Sequence, residues 1–147
     1  MPHIQKSIDI NSPAEEVFEL LSDPNRLPEY TPGVTGVEDV HQSGRHIGDS
    51  FKANYSVMGL HIPMTFTATA YEKPTKLAVR FEGGMKGNWT WTLEPRGNAT
   101  HMDMQIDYDM GGGILGKAVN ALLLERMNEK NAERFLEDLK MVSEAAS

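Results

Sequence analysis

The chain has 147 residues, the size of one domain, with 14 Lys plus Arg against 21 Asp plus Glu and a formal net charge of −7. That balance argues against a nucleic-acid or anionic-membrane surface, because few basic groups are available to displace phosphate counterions. Cysteine is absent, which excludes disulfide scaffolds, thiolate metal sites, Cys nucleophiles and CxxC redox chemistry. No apolar run approaches the ~18 residues needed to span a bilayer, and the N-terminal stretch lacks the apolar segment of a secretory leader. A single cytoplasmic domain over 1–147 is therefore expected.

Residues 4–10 place Ile4, Ile8 and Ile10 on one parity, the mark of a strand. Ser12, Pro13 and Glu15 then read as an N-cap, a first helical residue and a capping-box glutamate. The helix carries Val17, Phe18, Leu20 and Leu21 and stops near Asp23 and Pro24. Pro24, Pro28 and Pro32 make the stretch around Leu27 and Tyr30 a short turn-like connector.

From 34 to 108 the period is mostly two, as in an antiparallel sheet with one dry and one wet face. Five strands repeat the pattern, with Phe51, Tyr55, Val57, Met64, Phe66, Val79, Phe81, Trp89, Trp91, Met102, Met104 and Tyr108 all on the dry parity. His61, Thr65, Thr67, Thr69 and Tyr71 fall opposite, as do His101, Asp103, Asp107 and Asp109. After Gly111, Gly112 and Gly113 the period becomes helical to about Glu144. Some thirty residues without Pro or Gly beyond Gly116 predict one helix of about 45 Å at 1.5 Å per residue. The dry sheet face needs a cover, and this helix alone is long enough, which makes the fold α+β.

Several of these residues, in this order and spacing, resemble the START-like superfamily (SRPBCC, the helix-grip fold), and within it the polyketide cyclase/dehydrase and lipid-transport group. The resemblance is carried by Ile10 to Phe18 with Leu21-Ser22-Asp23, by Tyr30-Thr31-Pro32-Gly33-Val34, and by Leu93-Glu94-Pro95 leading through Gly97 to Thr100. Asp107-Tyr108 and Leu139-Lys140 with Glu144 complete it, while Tyr30 stands where many relatives carry Trp. The resemblance implies about six or seven antiparallel strands curved around a long C-terminal helix, short helices after the first strand, and a cavity between them. It implies no particular reaction, since one fold hosts many functions.

Other motifs are weaker. Gly111 to Ala118 satisfies GxxxxGK, but Ala118 lacks the hydroxyl that would ligate Mg²⁺ and the neighbouring strand is acidic, so a hinge is the expected role. His3, His41, His46, His61 and His101 form no HExxH and no helical pair, and no metal or other cofactor is expected. Asp103, Asp107 and Asp109 lie on the wet face, where no dry pocket would raise a pKa.

The dry face is the informative object, for its polar atoms are two hydroxyls and two indole N–H groups. Apolar walls with a few converging polar groups suit a small hydrophobic or aromatic molecule, such as a lipid, isoprenoid or polyketide, with Tyr55 and Tyr108 orienting its carbonyl or hydroxyl. On the long helix the stripe Ile114, Ala118, Ala121, Ala132, Leu136 and Leu139 is interrupted by Glu125 and Asn128. Those two are expected to form the polar end of the pocket. Binding or carriage is thus the leading expectation. A cyclase or dehydratase with Glu125 as its proton-transfer group is the alternative, and a protein-interaction module the third. Leu122-Leu123-Leu124 widens the apolar face beyond one sheet contact, so a loop or a second copy in a homodimer is the candidate cover.

Overall fold

The structure, a computed structural model, describes residues 3–42, 46–57, 59–109 and 121–146. Strand β1 (His3–Ile10) leads into α1 (Ala14–Ser22) and a 3-10 helix (Pro24–Glu29). Six strands follow: β2 (Val34–His41), β3 (Ser50–Val57), β4 (Leu60–Glu72), β5 (Lys76–Gly83), β6 (Lys86–Arg96) and β7 (Ala99–Asp109). The chain closes with α2 (Ala121–Ala146). All seven strands make one antiparallel sheet in the order β1-β7-β6-β5-β4-β3-β2, curved around α2 as in the helix-grip fold.

The inner face of the sheet is the dry parity of the sequence. Met102 and Met104 are fully buried, and Trp91, Leu93, Met64, Phe66 and Phe81 nearly so. From the helix come Ala132, Phe135, Leu136 and Leu139. The Phe135 ring stands 4.9 Å from Trp89, 6.0 Å from Trp91 and 5.3 Å, edge-on, from Tyr30. One helical side chain thus touches both sheet and connector. The Tyr30 hydroxyl donates to the carbonyls of Leu20 (3.0 Å) and Leu21 (3.4 Å), locking the 3-10 helix to the end of α1. Burial holds that phenol far above its ordinary pKa.

Three details depart from the alternation. The β4 pairing shifts between Ala68 and Ala70, a bulge that turns Tyr71 inward, opposite Leu77 and edge-on to Phe18 at 5.0 Å. A strict period of two puts Tyr71 on the wet face; one extra residue reverses every side chain beyond it. Helix α1 begins one residue later than the cap pattern predicts, with Pro13 at the N-cap. Ser12 instead donates to Glu16 (3.2 Å), while its carbonyl accepts from Thr100 (2.7 Å), so it ties α1 to β7. Lys6 shares the inner parity of β1, yet at the sheet edge it reaches Glu133 (3.0 Å) and Glu129 (3.3 Å) on α2. Lys140 to the Asp9 carbonyl (3.0 Å) and Asn11 N–H to Glu144 (2.8 Å) continue the seam. Exposed pairs of this kind contribute about 0–1 kcal/mol each, and here they fix where the helix lies along β1.

On the outer face His101 is held by Asp9 (2.7 Å) and Asp103 (3.4 Å), and His3 pairs with Asp107. These histidines are ion-pair partners of the strand carboxylates that the sequence places in solvent. The Gly111–Ala118 motif, with Ile114 and Ala118 of the helical stripe, and the side chains of Ala121 and Leu122-Leu123-Leu124 lie outside the described residues. No helix among the described residues is long and apolar enough to cross a membrane.

Phe135→Ala should cost about 3–5 kcal/mol in urea unfolding, whereas Thr92→Ala, exposed on the outer face, should stay within about 0.5 kcal/mol. The hydrogen bond from His101 lowers the pKa of Asp9, and the same bond raises that of His101. The carboxylate's contribution is present above its unfolded pKa and lost on acidification. The imidazolium's is present below its unfolded pKa and lost as pH rises through the folded one. The melting-temperature deficit of His101→Gln should therefore be largest between about pH 4 and pH 6.5 and shrink on either side.

Candidate functional site

Between α2 and the inner face lies a cavity in which about 90 Å³ is open to the centre of a water molecule, several times the ~10–15 Å³ that one water needs. Sheet residues Tyr55, Met64, Phe66, Phe81, Trp89, Ile106 and Tyr108 form one wall, and Asn128, Asn131, Ala132 and Phe135 of α2 the other. Ile4, Met85 and the Thr31–Pro32–Val34 segment close the ends. Two close approaches shape it. A Cβ on Gly33, at φ +83°, would stand 2.6 Å from the Ser56 carbonyl and 3.0 Å from the Tyr55 ring, so only glycine lets the connector sit against Tyr55. A Cβ on Gly87, opposite Tyr108, would stand 2.1 Å from the Asp107 carbonyl and 2.9 Å from the Phe81 ring.

The wall is apolar except at one end, where the four polar side chains of Tyr55, Tyr108, Asn128 and Asn131 meet. Asn131 Nδ2 donates to the Tyr55 hydroxyl (2.9 Å), which donates to Asn128 Oδ1 (2.7 Å). On its other side Asn128 Nδ2 donates to the Met85 sulfur, at 3.9 Å. The hydroxyls of Tyr108 and Thr31 are buried without a partner, as is the indole N–H of Trp89. Burial raises the pKa of Tyr55, partly offset by the bond from Asn131. It also raises that of Tyr108, which Asn128 beside it opposes at a geometry short of a hydrogen bond, while Glu125 and Glu129 push it further up.

Of the residues singled out from sequence, Tyr55, Met64, Phe66, Phe81, Trp89, Tyr108 and Asn128 share this cavity. Phe51, Val79 and Trp91 instead line a second, wider hollow of about 480 Å³ under α1 and the 3-10 helix, which Phe66 and Trp89 also border. That hollow is lined in good part by polar groups, among them Glu19, Asp23, Asn25 and Asp49. Met102 and Met104 line neither space; they are core beneath the helix. The Val57 side chain lies outside the described residues. Glu125 is half-buried one turn before Asn128 and is not on the wall. No carboxylate, lysine, arginine or histidine lines the first cavity among the described residues. No group of three or more metal-ligating side chains occurs among them either.

Residues 1–144 match the family described as polyketide cyclase/dehydrase and lipid transport. The chain belongs to this family. A similar curated relative is the ribosome association toxin RatA of Vibrio cholerae, 25% identical over 137 residues that span 87% of this chain and 92% of the relative. The aromatase/cyclase Zhui of Streptomyces sp. R1128 superposes with a TM-score of 0.82 at 17% identity, covering 97% of this chain and 93% of its own. A START superfamily protein from Mycobacterium smegmatis gives 0.80 at 14% identity, over 99% of both chains. At these identities the two structures show the shared fold.

Tyr108→Phe should leave the ligand-free protein as stable as the parent or more so, by up to about 1–3 kcal/mol, because it removes an unsatisfied buried hydroxyl. Tyr30→Phe, which breaks a made bond, should destabilise by about 0.5–1.5 kcal/mol. Urea unfolding of delipidated protein measures both.

Proposed function

We propose that this member of the polyketide cyclase/dehydrase and lipid-transport family binds a small hydrophobic or aromatic molecule between α2 and the sheet. One observation carries the reading. The Tyr108 hydroxyl is buried and unpartnered at the polar end of an otherwise apolar cavity. A native interior satisfies such groups unless they serve another purpose, and a ligand oxygen would satisfy this one. The apolar remainder of the ligand lies against Phe81, Met64 and Trp89, where Met adapts its packing, and extends past Phe66 towards the second hollow. Carriage or sequestration follows more readily than turnover, because proton transfer needs an acid or base within reach of the ligand and, among the described residues, no carboxylate lines the wall.

The likeness to a ribosome association toxin favours a second reading, in which the chain docks on a ribosome-bound partner. The net charge of −7 gives little for rRNA phosphates, so such docking would engage protein.

Native mass spectrometry of freshly purified protein should show a stoichiometric hydrophobic adduct that organic extraction removes. Tyr108→Phe should weaken rebinding of the extracted molecule about tenfold, the equivalent of one hydrogen bond of ~1.4 kcal/mol. An adduct-free protein that sediments with ribosomes would support the second reading and contradict the first.

A further inference from the structure

The polar end of the cavity has a direction. Asn131 gives a hydrogen to Tyr55 and Tyr55 gives one to Asn128, so the Asn128 carbonyl is turned to Tyr55 and its NH₂ lies opposite, with only the weak acceptor sulfur of Met85 at 3.9 Å among the cavity's lining. Beside that amide stands the Tyr108 hydroxyl, buried and without a full hydrogen bond. The amide hydrogens only donate; the hydroxyl donates or accepts. With no charged side chain on the wall among the described residues, an ionised ligand would lie desolvated without a counter-charge there.

We infer that the site selects a neutral ligand through an acceptor oxygen, a ketone or quinone-type carbonyl in preference to an alcohol or a carboxylate, and that Asn131 sets this preference as a positioning residue. The inference rests on the reading of the cavity as a ligand site. Tyr55 is the reversible link, because a phenol has one hydrogen to give and an oxygen that accepts. While Asn131 donates, Tyr55 must donate onward, and Asn128 is held with its carbonyl turned away from the ligand. A carbonyl then accepts from both Asn128 Nδ2 and Tyr108 Oη. An alcohol brings a hydrogen of its own, which finds an acceptor only by turning Tyr108 out of its donating role.

Replacing Asn131 by a group that only accepts should reverse the chain. In Asn131→Asp the carboxylate draws the Tyr55 hydrogen to itself, and the Tyr55 oxygen then accepts from Asn128 Nδ2. Asn128 Oδ1 swings to face the ligand, and the site prefers a donor. The test is calorimetric titration at pH 8 with 2-acetylnaphthalene, 1-(2-naphthyl)ethanol, 2-ethylnaphthalene and 2-naphthoate. In the parent protein the ketone should bind five- to tenfold tighter than the alcohol, and the carboxylate should bind weakest. In Asn131→Asp that ratio should fall to one or invert. Tyr55→Phe, which cuts the link without adding charge, should bring it within about twofold of one and serves if Asn131→Asp fails to fold. A merely structural role for Asn131 would weaken all four probes together and leave the ratio where it was; that result overturns the inference. Equal affinity of the parent for all four probes also overturns it while leaving the cavity a ligand site. Failure of every probe to bind the parent overturns the binding reading itself.

Discussion

The contact of Phe135 with Trp89, Trp91 and Tyr30 is the constraint on which the rest of this structure depends. Three large rings from sheet and connector meet one ring from the helix, and rings cannot be compressed. Their centroid separations, 4.9 to 6.0 Å, set how far α2 stands from the sheet. On one side of that post, towards Leu136 and Leu139, the gap fills with aliphatic side chains and becomes core. On the other, towards Asn128, the side chains of sheet and helix leave it unfilled. The cavity is the space left over.

What occupies that space is decided by polarity. An unfilled apolar cavity loses dispersion contacts along its lining, and an unpartnered buried hydroxyl adds a desolvation cost of about 1–3 kcal/mol. This chain carries both at one place. Asn131, Tyr55 and Asn128 spend their hydrogen-bonding capacity largely on one another and so hold a fixed geometry, whereas Tyr108 and Thr31 keep theirs. A rigid polar end beside unspent donors is what preorganised recognition requires, since the groups are oriented before the ligand arrives. Membership of a family named for cyclases and lipid transport is consistent with such a cavity.

Much of the fold was legible in the sequence because the physics was local. Alternation over Ile62, Met64 and Phe66 or over Trp89, Trp91 and Leu93 gives a strand's inner face directly, and a helix needs only its 3.6-residue period. Where alternation failed, at Tyr71, the cause was one extra residue in β4, which no pairwise pattern announces. The site was half legible. Tyr55, Tyr108 and Asn128 stood out as polar groups on apolar stripes. Asn131 lies three residues beyond Asn128 on the same helical face and could have been found by that spacing. Thr31 was hidden in a connector whose course depends on Gly33 and on the Tyr30 tether. Phe51, Val79 and Trp91 share the parity of the cavity residues but face the second hollow, because parity chooses a face of a sheet and not a position along it. Glu125 breaks the apolar stripe as Asn128 does, yet sits a turn short of the wall.

The central claim is that ligand oxygen meets the Asn128 amide inside the helix–sheet cavity. Its most direct test is a ¹H–¹⁵N spectrum of the side-chain amides and indoles, followed while a saturable neutral aromatic ketone is titrated in. The account predicts that the Asn128 NH₂ pair and the Trp89 indole shift together and saturate at one equivalent, while the backbone amide of His101 on the outer face stays still. Saturable shifts on the outer face of β1 and β7, with the Asn128 pair unmoved, would contradict it.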